Sequence, residues 1–340
     1  MATADLIEGR MPTLVAHLRV LGIVLTVACL VLGAYVVDWR RMLQVIAGAD
    51  LGLIGMASLC QGVTFFLFSL RWRQLIAVDN PPPTPRIFNF LMIGYLSNAV
   101  LPARPGDIIR AVLLRQAFGI SFSYGLASIV AERLFDVLAI CSLGMIVSFT
   151  VVLPPLVLSG LYSLGATGLG LAGALVVLTW RRVSIGRLAD RFPAVFQYSS
   201  VRFLAEWVER FSSALRILYS PARLSISILL TCLGWGMLAL SFMILINAFQ
   251  LEIPPAAALL VIAATNLGAV IPSSPGALGI YHFMAVIALS VWRVDTSTAV
   301  AFAIAAHAIS IALHISFGLV CAWIEGIGMR RLTGLAQNAG

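Results

Sequence analysis

Ala99–Arg110 reads AVLPARPGDIIR, and Ala269–Ile280 reads AVIPSSPGALGI. The frame A-V-[LI]-P-x-x-P-G recurs at an offset of 269 − 99 = 170, half of the 340 residues, so the repeat is the unit of architecture. Each copy drops two prolines and a glycine into otherwise apolar chain, and a proline inside a helix removes a backbone donor and breaks it. At bilayer depth such irregular backbone is tolerated only where it is buried in protein or lines a cavity.

The surrounding chain is 61% apolar and 11% charged, with mean hydropathy +1.01. The charged share is under half the quarter usual in soluble domains. Apolar runs at 20–37, 51–70, 124–153, 156–180, 224–248 and 298–325 each reach the ~20 residues a spanning helix needs, too long for barrel strands. The reading is an all-α polytopic membrane protein. The net charge of +8 comes from 22 arginines and no lysine, placed mostly between the runs. In a membrane chain that pattern reports orientation and anionic-lipid contact, not nucleic acid. Cys29, Cys60, Cys141, Cys232 and Cys321 lie inside apolar runs without metal-like or paired spacing, which reads as packing. No small-residue cleavage site follows the first run, so it is expected to be a retained span.

Arg10 and Arg19 precede the first span, Arg71, Arg73 and Arg86 follow the second, and Arg181–Arg223 holds eight arginines. All face the cytoplasm if the N-terminus does, as then do Arg330 and Arg331, leaving only Arg40 and Arg41 in the 38–50 loop against the rule. Trp39, Trp72, Trp180, Trp292 and Trp323 sit near span ends as an aromatic belt. Within the 181–223 loop, residues 198–219 have the spacing of an amphipathic helix on the membrane surface, either a solvated connector or a docking surface. Ala166, Gly170 and Ala174 form a small-xxx-small run suited to helix packing.

The regions 86–118 and 256–292 are apolar arms broken by the repeated turn, each arm at or below the lower limit for crossing the bilayer. They read as re-entrant hairpins, or else as two broken spans each. The hairpin turns are Pro102, Pro105 and Gly106, and Pro272, Pro275, Gly276 and Gly279; the P-x-x-P-G turn frees backbone N–H groups and starts a new helix at Gly106, whose positive end is suited to an anionic group. Adding 170 to the second and third spans lands on the fifth and sixth. Repeat 20–153 thus holds three spans and a hairpin, as does 156–325. Three crossings per half require the second half to insert upside down, giving six spans and two opposed hairpins in one 1–340 domain, the inverted-repeat plan of secondary transporters.

Charge concentrates in the first half: Arg104, Asp107 and Arg110 on and after the turn, then Glu132, Arg133 and Asp136 as E-R-x-x-D. Each charge at a helix centre costs at least ~2.5 kcal/mol. One reading is a salt-bridge staple between the hairpin and the third span; the other is that Arg104 and Arg110 hold an anionic head group while the carboxylates balance them when empty. The equivalent second-half positions are Ala277, Ile280, Phe302, Ala303 and Ala306, so the halves divide the labour. That half offers Ser273, Ser274, Tyr281, His282, His307 and His314, with His307, Ser310 and His314 on one helical face, read as packing or as proton coupling. No metal-ligand or nucleophile–base spacing appears, and no cofactor is expected.

The run NAVLPARPGDIIR, with Asn98, Pro102, Arg104, Gly106, Asp107 and Arg110, then Gly119–Ser121, ERLFD, and PGALG with Pro275, Gly276 and Gly279, resembles the lysylphosphatidylglycerol synthase transmembrane (flippase-like) family. The resemblance implies translocation of a lipid with an anionic or phosphate-containing head group, an anionic phospholipid or a polyprenyl phosphate. Taken with the charged constellation, Asn98, Arg104, Asp107, Arg110, Glu132, Arg133, Asp136, Ser273 and Ser274 are expected to contact substrate, while His282, His307 and His314 are read from the residues themselves, as proton coupling or as packing. The chain is expected to stand alone, without the aminoacyltransferase domain of one branch, in a bacterial-type inner membrane with both termini cytoplasmic. Two departures matter: Asp107 and His282 stand where the family often has Glu. The alternative is a non-transporting subunit that docks a cytoplasmic glycosyltransferase or lipid-modifying enzyme on 181–223. A membrane-embedded enzyme acting on lipid phosphate is a third reading, disfavoured by the missing nucleophile and metal set.

Overall fold

The computed structural model describes residues 37–76, 78, 80–101, 104–180, 220–270, 275–328, 332 and 334. The span expected at 20–37, all but its last residue, the amphipathic helix at 198–219, Arg330 and Arg331 lie outside the described residues, as do Pro102, Pro272, Ser273 and Ser274. The described residues form ten α-helices: α1 (Trp39–Ala47), α2 (Leu51–Leu75), α3 (Thr84–Val100), α4 (Gly106–Phe118), α5 (Phe122–Ser148), α6 (Pro155–Trp180), α7 (Pro221–Ala248), α8 (Ala256–Val270), α9 (Ile280–Ser290) and α10 (Thr296–Ile324). A short turn at Pro275–Ala277 separates α8 from α9. By length and composition α2, α7 and α10 are able to cross a membrane. Helices α5 and α6 are of similar length, 27 and 26 residues, with Glu132, Arg133 and Asp136 interrupting the first.

Local chemistry sets the ends. Asp50 accepts from the N–H groups of Gly52 and Leu53 to cap α2, Ser121 caps α5, and Gly119 closes α4 with φ 68°, a left-handed value that suits glycine. Asp295 caps α10 through the Thr298 N–H and pairs with Arg41 of α1 at 3.1 Å. The 38–50 loop of the sequence reading is therefore mostly helix, tied to the start of α10. Burial alone would raise the Asp295 carboxyl, but its bonds from Thr298 and the Arg41 charge hold it below the usual range. Its contribution is present at neutral pH and is lost as pH falls through that depressed value. Asp295→Ala is expected to cost about 1 kcal/mol in detergent unfolding at neutral pH, and the difference from wild type should shrink in acid.

Helices α2 and α7 are equivalent in the sequence repeat and run antiparallel along their length. Asp50 N–H donates to the Ala248 carbonyl, Ser241 Oγ to Ala57, and Thr64 Oγ1 to Gly234. The last pair is itself 234 − 64 = 170 apart, so the helices cross at equivalent residues. The remaining packing repeats: α3 lies on α10 as α8 lies on α5, and α4 lies on α5 as α9 lies on α10. The hairpin arms have 17 and 13 residues in α3–α4 and 15 and 11 in α8–α9. At 1.5 Å per residue every arm is shorter than ~30 Å of hydrocarbon.

The α5–α6 contact uses different small residues from those expected. A methyl on Gly165 would meet Cys141 Sγ at 3.5 Å and one on Gly168 would meet Val137 at 2.8 Å, whereas Gly170 faces open space. Sequence spacing located a small-residue stretch, but the face turned to α5 carries Gly165 and Gly168, not Gly170 or the exposed Ala166.

Candidate functional site

The first hairpin closes through glycine. A Cβ on Gly106 would collide with the Gly94 carbonyl, and one on Gly94 would meet the Arg110 side chain at 2.6 Å. The two backbones thus touch, and α4 starts at Gly106 as the proline spacing predicts. The Gly106 N–H, which the sequence reading left free at a positive helix end, donates to Asn98 Oδ1 at 2.7 Å. Asn98 is the cap of α4.

Close approach of α3 and α4 leads Arg110 into the interior, where it is fully buried. Its guanidinium donates to both oxygens of buried Glu132, at 3.2 and 2.6 Å, and stacks 3.8 Å from the Trp72 ring. Bidentate, desolvated pairing of this kind is the strong form of an ion pair. Glu132 also accepts from Arg133 at 3.0 Å. Arg133 reaches Asp136 at 3.3 Å and Asp107 at 3.6 Å, and Arg110 reaches Asp107 at 3.4 Å.

Arg71 completes the network and corrects the sequence reading. Taken there as a cation beyond the second span, it lies within α2 and is fully buried, bonded to Asp136 at 2.8 Å and 3.9 Å from Glu132. Its neighbour Trp72, taken as part of an interfacial belt, is buried and donates to Ser128. Trp235 of α7 also donates to Asp136, at 3.2 Å. The sequence carried a signal for Arg71: Gln61, Thr64, Phe68, Arg71 and Leu75 fall at helical spacing and all are buried. It appears only if the helix is continued beyond the apolar run.

Arg71, Arg110 and Arg133 face Asp107, Glu132 and Asp136, three charges against three. Arg110 is enclosed by that network, whereas the Arg133 side chain keeps 45% of its surface accessible. Arg104 is a fourth arginine. Among the described residues it pairs with no carboxylate; its Nη1 donates to the Ala269 carbonyl at 2.6 Å. Ala269 lies in the last turn of α8, so Arg104 binds the negative end of that helix and ties the chain just before α4 to the end of α8. Its backbone is left-handed, φ 52°, an uncommon and costly conformation outside glycine.

The second-half residues separate into two groups. His307 stacks on Tyr281, ring centroids 4.1 Å apart and planes at 18°, with the His282 ring 5.1 Å away. His282 Nδ1 accepts from the Gly279 N–H at the start of α9. His314 stands apart between Phe65 and Tyr95, and Ser310 donates to Gln61 of α2. One helical face thus serves two environments. Among the described residues no three His, Cys, Asp or Glu side chains converge as a metal cage requires.

Over 338 residues the chain is 27% identical to the glycosyltransferase AglD of Haloferax volcanii, covering 88% of this chain but only 53% of that protein. It is 25% identical over 252 residues to a UPF0104 membrane protein of Methanothermobacter thermautotrophicus, 70% of this chain and 73% of the relative. With UPF0104 membrane protein MJ1078 of Methanocaldococcus jannaschii it shares 23% identity over 227 residues, 67% of this chain and 93% of the relative. No solved structure matches. The family model for the lysylphosphatidylglycerol synthase TM region matches residues 19–318, nearly the whole helical array and every charge of the buried network. The chain is a helical membrane protein and belongs to that family.

Proposed function

We propose that this protein is a lipid translocase of the cytoplasmic membrane, moving a lipid with an anionic or phosphate-containing head group between leaflets. The observation that carries the reading is the surplus charge: four arginines meet three carboxylates, and Arg104, the unmatched one, sits at the end of α8. Arg104 and the accessible edge of Arg133 bind the head group, with Ser273 and Ser274 of the second tip proposed as further contacts. Arg110, Glu132, Asp136 and Arg71 fix Arg133 in place, while Asp107 competes with the ligand for it. The acyl or isoprenoid tail stays in lipid, which avoids most of the cost of carrying charge through hydrocarbon. No bond is made or broken.

The same reading makes 20–153 and 156–325 inverted repeats with re-entrant hairpins at 86–118 and 256–292, both termini being cytoplasmic. Antiparallel α2 and α7, crossing at residues 64 and 234, support the inversion, and arms too short to span support re-entry.

Head-group-labelled anionic phospholipids and polyprenyl phosphates in proteoliposomes test the proposal. Arg104→Gln is expected to slow protein-dependent movement about ten- to a hundredfold, the worth of one charge-assisted hydrogen bond, with unfolding temperature nearly unchanged. Arg133→Gln should slow it at least as much and also lower stability, because Glu132 and Asp136 then face one cation fewer. Folded wild type that moves neither lipid class defeats the reading. A second reading, a membrane subunit serving a glycosyltransferase through 181–223, is favoured by the match to AglD, which bears that activity in its name. It requires loop arginine substitutions to abolish function while Arg104→Gln does not.

A further inference from the structure

Helix α1 holds the two arginines that oppose the orientation rule, and its contacts fix where it lies. At its start the Asp38 N–H donates to Ser297 Oγ in the first turn of α10, at 2.9 Å. Just past its end the Gly48 carbonyl accepts from Gln250, two residues beyond α7, at 3.4 Å, and Asp50, which opens α2, donates to the carbonyl of Ala248, the last residue of α7. Helix α1 therefore runs from the end of one helix able to cross a membrane to the end of another. Such ends mark the edge of the hydrocarbon, so α1 lies along that edge. Around its axis the residues sort into three strips at the helical period. Met42, Val45 and Ile46 pack on Ala301 of α10. Trp39, Leu43 and Ala47, four apart, are exposed, the first two at 50% and 61%. Arg40 and Gln44 form an exposed polar strip beside them, with Arg41 next to it, paired to Asp295. The neighbouring carboxylates Asp38, Asp50 and Asp295 each cap a helix.

We propose that α1 is an interfacial lipid-binding helix, with Trp39, Leu43 and Ala47 in the acyl boundary and Arg40 on the phosphate of a phospholipid head group. A membrane surface is the occupant that matches both strips at once, because it offers hydrocarbon on one side of the helix and phosphate on the other. The arginine stem reaches from the apolar edge to head-group level, where its fork can meet two phosphate oxygens. The repeat adds an independent argument: 170 beyond α1 is 209–217, inside the 198–219 stretch that has the spacing of a surface helix and lies outside the described residues. Arg40 and Arg41 then belong to lipid contact and no longer weigh against the orientation rule. This surface is separate from the site at Arg104 and Arg133, and it holds whether or not the protein moves lipid.

Nitroxide labels at Leu43→Cys and Gln44→Cys, in a full chain lacking its native cysteines and reconstituted in phosphatidylcholine–phosphatidylglycerol nanodiscs, test this by electron paramagnetic resonance. Relaxation is read with oxygen, which partitions into lipid, and with a water-soluble nickel chelate. The label at 43 is expected to be severalfold more accessible to oxygen than to nickel, and the label at 44 the reverse. Arg40→Glu, which sets a carboxylate against the phosphates, should raise nickel access at 43 severalfold. Two labels open to nickel would make α1 a solvated connector, and two open to oxygen would make it part of a span. A label at 43 shielded from both reagents would mean that protein, the first span or a second copy, covers the strip. Each of these overturns the proposal, as does Arg40→Glu without effect. Should removal of the cysteines unfold the chain, Trp39→Phe in the native chain decides: it should lower the share of tryptophan emission quenched by phospholipid brominated high on its acyl chains, and an unchanged share overturns the proposal.

Discussion

Glu132→Ala is expected to be the most damaging single substitution, costing about 3–5 kcal/mol of stability and all lipid movement. The magnitude follows from what remains: Arg110, without accessible surface, would keep its charge and lose both bonds at 3.2 and 2.6 Å. Removing one partner of a buried pair strands the other, which is far worse than never having the pair. The reverse case is the sharper test. In Arg110→Leu with Glu132→Leu, Arg71 and Arg133 still face Asp107 and Asp136, so the interior stays neutral. The double variant should recover most of the lost stability, giving a large favourable coupling in the double-mutant cycle. It should not recover transport, because Arg133 loses the Glu132 oxygen that orients it. Chemical unfolding in detergent micelles beside the proteoliposome assay separates the two. Equal instability of single and double variants would show that the pair is more than a charge problem.

Gly106→Val is expected to separate α3 from α4 and cost about 3 kcal/mol or more, beyond ordinary overpacking. The space a side chain would need holds the Gly94 carbonyl and, at 2.6 Å, Asn98 Oδ1. Neither is the free end of a flexible chain: one is backbone, and the other caps α4. Pushing the helices apart also withdraws Arg110 from Glu132, so transport should fall with stability. Gly55→Ala is the control, because nothing lies within 4 Å of the added methyl; it should leave unfolding and transport near wild type. Equal tolerance of both substitutions would contradict the backbone contact as the hairpin's closure.

The sequence alone determined the helical membrane class, the family, the half-chain repeat and the start of α4 at Gly106. These depend on local or periodic properties: run length against bilayer thickness, proline's missing donor, and a frame repeated at one offset. It also singled out Glu132, Arg133 and Asp136, because charge inside an apolar run is visible without knowing its partner. The tertiary structure decided the rest. Arg71 belongs to the network because α2 continues past its apolar stretch and turns that face inward, and Trp72 leaves the belt for the same reason. Arg110 and Arg104, alike in sequence, differ because one meets Glu132 in a closed interior and the other meets only a helix end. His307 and His314 share a helical face yet divide between Tyr281 on one side and Phe65 and Tyr95 on the other. In each case the deciding quantity is which group from a distant segment lies opposite, and that is fixed by packing between helices, which spacing along one chain does not encode.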